Sequence, residues 1–338
     1  MKHIRLIASL ISLVGATLYA KDEAAPAKFT VQFVTVEQDV KLEVVDWGGT
    51  GRPLVLLAAL GADAHIYTDF APKLTSTCHV YSITRRGFGA SSVPAGGYSA
   101  DRLGDDVLAV IAALKLDRPV LIGHSLAGEE LSSIGSRHPE KVAGLVYLDA
   151  AESNAFYDPA SGDFQIDAIE LRKKIDHLIA HDSDPQPWIA AVLRSLPQFE
   201  KDLRDLQKLL QSLEPQTDPK QPASAEPKTD PEPPAPKAPT PMQLMLAGEQ
   251  KYTSVRTPVL AIFPSPHAEI AGWFEHDPAG RSKAEADDVA RVEVRIKAVE
   301  KAAPSPHIVR LPHASHAVFM SNEADVLREI SSFIASLP

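Results

Sequence analysis

Cysteine is nearly absent from this sequence, which contains only Cys78. A lone thiol cannot form an internal disulfide, and it cannot supply the thiolate cluster of a cysteine-based metal site. We therefore expect the hydrophobic core, and not covalent cross-links, to stabilise the fold. No internal repeat is visible either.

Positive charge is also in short supply. The chain has 34 Lys and Arg against 44 Asp and Glu, which gives a formal net charge of -10. Such a balance repels nucleic acids and anionic lipid surfaces. We predict a small-molecule substrate, uncharged or cationic, and no nucleic-acid partner.

Long apolar runs are missing as well. The run from Leu6 to Leu18 follows a basic start and precedes Ala20, but Ser and Gly interrupt it and it is short for a membrane span. This pattern predicts a signal peptide over residues 1–20, a periplasmic or secreted protein, and no stable membrane span once the signal is removed. An uncleaved N-terminal anchor is the alternative.

Proline, in contrast, is abundant and unevenly placed. Ten of the 28 prolines fall between Glu214 and Pro241, among charged and small residues with almost nothing apolar. This composition predicts a disordered or polyproline-like tether over residues 214–241. A polyproline ligand for a partner protein is the alternative interpretation.

The hydrophobic pattern predicts an α/β fold. Alternation after Phe29 is typical of an antiparallel hairpin at the edge of a sheet. Fully apolar runs separated by helical patterns are typical of parallel strands buried on both faces. These runs are PLVLLAAL, HVYSIT, RPVLIG and AGLVYLDA, and two further strands, TPVLAIF and HIVRL, are predicted later in the chain.

About a hundred residues of polar helical pattern interrupt the strands after Ala151, and strand-like sequence returns at Thr257. We interpret this insertion as a cap. The predicted organisation is a core over residues 29–151, a cap over 152–250 that contains the proline-rich segment, and the rest of the core over 251–338.

The strongest motif is GHSLAG, which spans Gly123 to Gly128 between an apolar strand and a helical pattern. A serine on a sharp strand-to-helix turn needs small neighbours, and the turn exposes its hydroxyl at the carboxyl edge of the sheet. We predict Ser125 as a nucleophile and the backbone N–H of Leu126 as an oxyanion donor.

Together with this motif, three further stretches occur in the order expected for a known family: LVLLAALGADAHIYTDFAPKL, ITRRGFGASS and LPHASHAVFMSNEADVLREISSFI. The chain resembles the α/β-hydrolase superfamily, in its esterase and lipase-like branch with a cap. The resemblance implies a mostly parallel sheet of the eight-stranded type, flanked by helices and covered by a helical cap.

The resemblance also implies roles for further residues. It makes His316, after the last strand, the general base, with His313 as a nearby rival. It makes the N–H of Leu60 the second oxyanion donor, although Ala58 and Ala59 stand where the family usually has His-Gly. Since the donor is a backbone group, Leu60 can still supply it.

The acid of the triad departs from the family pattern. The family most often has a carboxylate after the seventh strand, but Pro264 and His267 stand there. Asp149, at the end of the sixth strand, is the predicted acid, and an ordinary strand-end cap is the other interpretation of this residue. Glu269 is the alternative acid.

In ITRRGFGASS we expect Arg85 and Arg86 to pair with nearby acids. Phosphate binding is the alternative, but the segment lacks the spacing of a nucleotide-binding loop. The strand-to-helix turn carries a serine, Ser125, where dehalogenases and epoxide hydrolases of this superfamily have an aspartate. The resemblance therefore implies acyl transfer. The predicted function is hydrolysis of an ester-like bond in a small, largely uncharged substrate, without a metal or an organic cofactor. The alternative is a non-catalytic binding protein of the same fold.

Overall fold

Eight strands form one sheet in the computed structural model, which describes residues 29–180, 184–213 and 238–338. The strands are β1 (Thr30–Glu37), β2 (Val40–Gly48), β3 (Arg52–Leu57), β4 (Cys78–Ile83), β5 (Val120–His124), β6 (Gly144–Leu148), β7 (Val259–Pro264) and β8 (His307–Leu311). The predicted signal peptide and most of the proline-rich segment lie outside the described residues.

The sheet has the order β1-β2-β4-β3-β5-β6-β7-β8. β1 and β2 form an antiparallel hairpin, β2 is antiparallel to β4, and the strands from β4 through β3 to β8 run parallel. Every residue of β5, β6 and β7 is buried. This confirms the mostly parallel α/β sheet that the continuous apolar runs predict.

The register sets the carboxyl ends of the central strands side by side. His124 of β5 is level with Leu148 of β6, and Leu148 is level with Ile262 of β7. Because the strands are parallel, the residues that follow them emerge at the same edge. Ser125 and Asp149 each come directly after such a strand end.

Helices cover both faces of the sheet. The described helices are α1 (Ala100–Ala113), α2 (Ala127–Arg137), α3 (Phe164–Ala180), α4 (Gln186–Leu213), α5 (Pro241–Leu246), α6 (Glu269–Trp273), α7 (Pro278–Ala302), α8 (Val318–Ser321) and α9 (Glu323–Ser336). One core cluster joins α1, α2 and α7 to the sheet, and the other contains apolar residues of α8 and α9.

The insertion between β6 and β7 contains α3, α4 and α5, as the predicted helical cap requires. α5 lies over the loops that follow β3 and β4, since a Cβ added to Gly61 would come 3.8 Å from Cε of Met242 and one added to Gly87 would come 2.7 Å from Cβ of Pro241. Among the described residues, none of the helices combines the length and the apolar character needed to span a bilayer.

The hydrophobic periodicity of this segment starts only at Asp287, and it predicts a helix from there. In the structure α7 begins earlier, at Pro278. The side chain of Asp277 accepts a hydrogen bond from the N–H of Gly280, and Pro278 occupies the first turn. Both features favour a helix start, and they extend the helix through a polar stretch that has no apolar face.

Candidate active site

Ser125 lies on a strained turn between β5 and α2. Its backbone has φ 55°, in the left-handed region that a residue with a side chain rarely adopts. The turn needs small neighbours: a Cβ on Gly128 would collide with the carbonyl oxygen of Ala150, and one on Gly123 would come 2.9 Å from Leu131. The structure thus gives the GHSLAG motif the sharp turn expected from its sequence.

Asp149 and His316 meet at this edge of the sheet. Nδ1 of His316 lies 2.6 Å from Oδ2 of Asp149, whose side chain is buried. This contact leaves Nε2 of the ring available to a nucleophile. Within the described residues the hydroxyl of Ser125 has no hydrogen-bond partner, so the contact between Ser125 and His316 stays a prediction.

The histidine–aspartate pair shifts the pKa values of both groups. Burial alone would raise the pKa of Asp149, but hydrogen bonds from His267 and His316 outweigh it and hold that pKa below its usual range. Burial disfavours a charged imidazole, yet the pKa of His316 is raised, because Asp149 stabilises the protonated ring. Asp149 is therefore a carboxylate at neutral pH and can stabilise a developing imidazolium.

The rival histidine, His313, has an exposed side chain, whereas His316 is partly buried. Glu269, the alternative acid, accepts a hydrogen bond from the backbone N–H of His316 at 2.9 Å, and its second carboxylate oxygen is buried without a partner. The structure therefore places Asp149 at the ring of His316 and Glu269 at its main chain.

His124 lies against His316, the predicted general base. Its Nε2 lies 3.0 Å from the carbonyl oxygen of His316, and the two ring centroids are 4.7 Å apart. Burial, followed by the nearby His316, lowers the pKa of His124 to about 4. The ring is thus neutral near pH 7, and it can donate its one N–H to that carbonyl. Sequence reasoning assigned no role to this residue.

His267 stands where the family usually has its acid, and the structure connects it to two carboxylates. Its Nε2 lies 3.0 Å from Oδ2 of Asp149 and its Nδ1 lies 2.8 Å from Oδ2 of Asp288. Sequence reasoning recorded His267 only as a missing acid and did not consider Asp288. The signal available in the sequence was a histidine at a position that a carboxylate normally fills.

Ligand atoms of Asp149, His267 and His316 lie within 4.8 Å of one another, close enough to hold a metal ion. Hydrogen bonding accounts for this closeness, since both rings contact the same carboxylate oxygen, Oδ2 of Asp149. A metal bound there would have to displace the ring protons that make these bonds.

The two leucines whose N–H groups are the predicted oxyanion donors place their side chains in one apolar cluster. Leu60 and Leu126 pack with Tyr98, Leu103 and Met245, and within the described chain neither leucine N–H has an acceptor. Unpaired backbone N–H groups are what an oxyanion hole requires, so both leucines stay available for the predicted role.

The loop that carries Leu60 forms a tight turn without the family's His-Gly pair. The N–H of Ala62 donates to the carbonyl of Ala59 at 3.2 Å, and Gly61 has φ 84°. A residue at this position of such a turn must tolerate positive φ, and glycine does so without strain. Gly61 therefore supplies the flexibility that Ala58 and Ala59 lack.

Arg85 connects this loop to α2, the helix that follows Ser125. It makes a bidentate ion pair with Glu130 of α2, at 2.7 and 2.8 Å, and it donates to the carbonyls of Ala58 and Ala59 at 2.9 and 3.3 Å. Both charged side chains are buried. Arg86 likewise pairs with Asp106, so both arginines make the acid contacts that the sequence predicts.

Comparison with known proteins identifies the family of this fold. The sequence profile described as "Alpha/beta hydrolase family" matches residues 54–329. The chain is 28% identical over 115 residues to the 3-oxoadipate enol-lactonase 2 of Acinetobacter baylyi, a stretch that covers 34% of this chain and 43% of that protein. It is 30% identical over 107 residues to the 2-hydroxymuconate semialdehyde hydrolase of a Pseudomonas species, covering 30% and 38%.

The chain thus spans less than half of the length of the curated relatives that it matches. The crystal structure of E-2-(acetamidomethylene)succinate hydrolase matches over 91% of this chain and 100% of that chain, with a TM-score of 0.53 and 18% identity. At that identity the likeness shows the fold alone. The profile, which matches most of the chain, shows more: the chain belongs to the alpha/beta hydrolase family.

Proposed function

We propose that this chain is a serine hydrolase that cleaves an ester-like bond of a small, largely uncharged substrate through an acyl-enzyme on Ser125. The observation that carries the proposal is the 2.6 Å contact between Nδ1 of His316 and Asp149, at the sheet edge where Ser125 occupies its strained turn. A histidine oriented by a buried carboxylate beside a serine is the arrangement that activates a hydroxyl nucleophile.

In the first step, Nε2 of His316 takes the hydroxyl proton of Ser125 as the serine oxygen bonds to the substrate carbonyl carbon. The carbonyl oxygen becomes an oxyanion, which the N–H groups of Leu60 and Leu126 stabilise. The imidazolium then gives its proton to the leaving alcohol oxygen as the ester bond breaks. Ser125 now carries the acyl group, and Asp149 stabilises the imidazolium throughout.

In the second step, a water molecule gives a proton to Nε2 of His316 and attacks the acyl carbon. A second oxyanion forms in the same hole and collapses, and the serine oxygen leaves with the proton from the imidazolium. The products are a carboxylic acid and the regenerated enzyme. The proposed sequence uses no metal and no organic cofactor.

The surroundings of the oxyanion donors support an uncharged acyl group. Leu60 and Leu126 belong to an apolar cluster that is completed from α5 by Leu244 and Met245. An apolar wall favours hydrocarbon over charged groups, which would lose their hydration there. The names of the two relatives, a lactonase and a semialdehyde hydrolase, fit acyl chemistry, although they differ in the bond that is cleaved.

The proposal is tested by labelling the purified full-length protein with a fluorophosphonate probe, followed by hydrolysis of short-chain aryl esters. We expect the protein to be labelled and to turn over the esters, and Ser125→Ala and His316→Gln to abolish both. His313→Gln is the matched control and should retain the wild-type rate, since that side chain is exposed. No labelling of folded protein would instead favour a non-catalytic binding protein.

We further propose that the protein is exported to the periplasm or secreted, with residues 1–20 as the signal peptide. The basic start and short apolar run of the sequence support this. Mass spectrometry of the fractionated protein should find an N-terminus just after Ala20. An intact Met1 in the membrane fraction would show an anchor instead.

A further inference from the structure

The ring of His267 is held between two buried carboxylates. Nε2 lies 3.0 Å from Asp149 and Nδ1 lies 2.8 Å from Asp288. An ionised carboxylate can only accept hydrogen bonds, and a neutral imidazole has only one N–H. Both contacts are satisfied together when the ring carries two protons, so the geometry points to an imidazolium.

On the side of the ring away from Asp149, His267 is bonded to Asp288 of α7. Oδ2 of Asp288 accepts from both the ring and the backbone N–H of His267, each at 2.8 Å, and its Oδ1 accepts from Arg291 at 2.9 Å. These bonds fix the position and the orientation of the His267 ring. α7 therefore determines where Nε2 of His267 lies.

On the near side, His267 and His316 share one oxygen. Both rings contact Oδ2 of Asp149, at 3.0 and 2.6 Å. Two charge-assisted bonds hold that carboxylate more firmly than one does. The positive charge of His267 also partly neutralises the carboxylate of Asp149, and this is the same carboxylate that His316 contacts.

We propose that His267 is a positioning residue for the hydrolysis proposed above: as an imidazolium that ties Asp149 to Asp288, it fixes the carboxylate that orients His316 and weakens the pull of that carboxylate on the His316 proton. The proposal rests on the proposed function. In this role a cation, His267, occupies the position where the family usually has its acid. It aligns Asp149, the acid that follows the neighbouring strand β6.

The charged groups around His316 determine the direction of the expected effect. Asp149 and Glu152 favour its protonated form, and His267 opposes it. His124 faces the ring as a neutral imidazole, and Glu269 bonds the backbone N–H. Removing the charge of His267 should therefore raise the pKa of His316.

Two variants separate charge from position. His267→Gln keeps an N–H that can reach Asp149 but carries no charge, and His267→Ala removes both. For His267→Gln we expect the acidic limb of kcat/KM against pH to move to higher pH, which lowers kcat/KM roughly three- to tenfold near pH 6 and changes it less than about twofold at pH 9. For His267→Ala we expect the high-pH plateau to fall as well, by about tenfold or more.

The same shift is measurable without turnover. In protein labelled with 13C at histidine Cε1, the His316 resonance, assigned by its loss in His316→Gln, should titrate at higher pH in His267→Gln than in the wild type. This titration does not depend on ester hydrolysis. A failure of the proposed activity and a failure of the role of His267 are therefore distinguishable.

His276→Gln, in the same segment and exposed, is the matched control and should leave the rate profile and the His316 titration unchanged. A folded His267→Gln protein whose profile and titration both match the wild type would overturn the proposal. So would activity that is lost on dialysis against EDTA and restored by Zn²⁺, because the cluster would then be a metal site.

Discussion

Asp149 and Glu269 both bond to His316, but they bond to different atoms. Asp149 contacts Nδ1 of the ring, and Glu269 accepts from the backbone N–H. Only the ring contact can select the tautomer that leaves Nε2 free and can stabilise the imidazolium. The two carboxylates should therefore differ sharply in their effect on turnover.

Replacement of Asp149 by Asn tests this difference. An amide can donate to Nδ1 and so favour the wrong tautomer, and it no longer neutralises an imidazolium. We expect kcat to fall by roughly a factor of 10³ to 10⁴, as in a triad whose acid is lost. Steady-state ester hydrolysis measures the change.

Glu269→Gln is the matched variant, because its amide oxygen can still accept from the N–H of His316. A reduction in kcat of less than about tenfold is expected. If Asp149→Asn kept near-wild-type activity while Glu269→Gln lost it, the two carboxylates would have to exchange their assigned roles.

At the scale of elements, Arg85 couples the two halves of the predicted oxyanion hole. It connects Ala58 and Ala59, on the loop after β3, with Glu130 on α2. The N–H of Leu60 lies on that loop and the N–H of Leu126 precedes that helix. Arg85 therefore links the two elements that carry the predicted donors, and we expect it to hold them at a fixed spacing.

Arg85→Lys should retain a positive charge beside Glu130 but lose the fork that also reaches the loop carbonyls. We expect kcat/KM to fall by roughly 10- to 100-fold, below the loss seen when an oxyanion donor is removed outright. Affinity for a boronic acid, which forms a tetrahedral adduct with the serine, should fall in parallel, because the adduct needs both donors.

Arg52→Gln is the control, since Arg52 lies at the opposite end of β3 and donates to the carbonyl of Pro338. Unfolding by urea shows whether Arg85→Lys is still folded at the assay temperature. A folded variant with unchanged kcat/KM and boronate affinity would show that the loop keeps its position without Arg85.

The predictable part of the site lies where local sequence carries the signal. The apolar runs predict the parallel strands, and GHSLAG predicts the strained turn at Ser125, because each needs only neighbouring residues. The contacts of Arg85 and of His267 with Asp288 join segments 45 and 21 residues apart. Local sequence carries no signal for such pairs, because packing in three dimensions brings the two segments together.

For the whole molecule, the ion pairs of His267 predict how stability depends on pH. Burial opposes the charge of His267, but its bonds to Asp149 and Asp288 raise its pKa from 6.5 to about 10. Burial likewise opposes the charge of Asp288, but its bonds from His267 lower its pKa from 3.8 to about 2. Both pKa shifts arise from hydrogen bonds and ion pairs that exist only in the folded state.

The number of protons bound by the folded and the unfolded state determines whether the free energy of unfolding rises or falls with pH. Between pH 6.5 and about 10 the folded state holds the His267 proton and the unfolded state does not, so this contribution is complete below 6.5 and is lost as the pH rises through about 10. The contribution of Asp288 is complete above 3.8 and is lost as the pH falls through about 2. Both are present together from about pH 4 to 6.5.

Urea unfolding of the wild type and of His267→Gln at several pH values measures this window. The difference in the free energy of unfolding between the two proteins should be largest near pH 5.5 and should shrink markedly by pH 10, because the wild type gives up its imidazolium there and the variant has none to lose. His276→Gln should show no such trend, since its side chain is exposed in the folded state. A difference that stays constant from pH 5.5 to 10 would mean that His267 contributes packing and neutral hydrogen bonds, and that its ring is not charged in the folded protein.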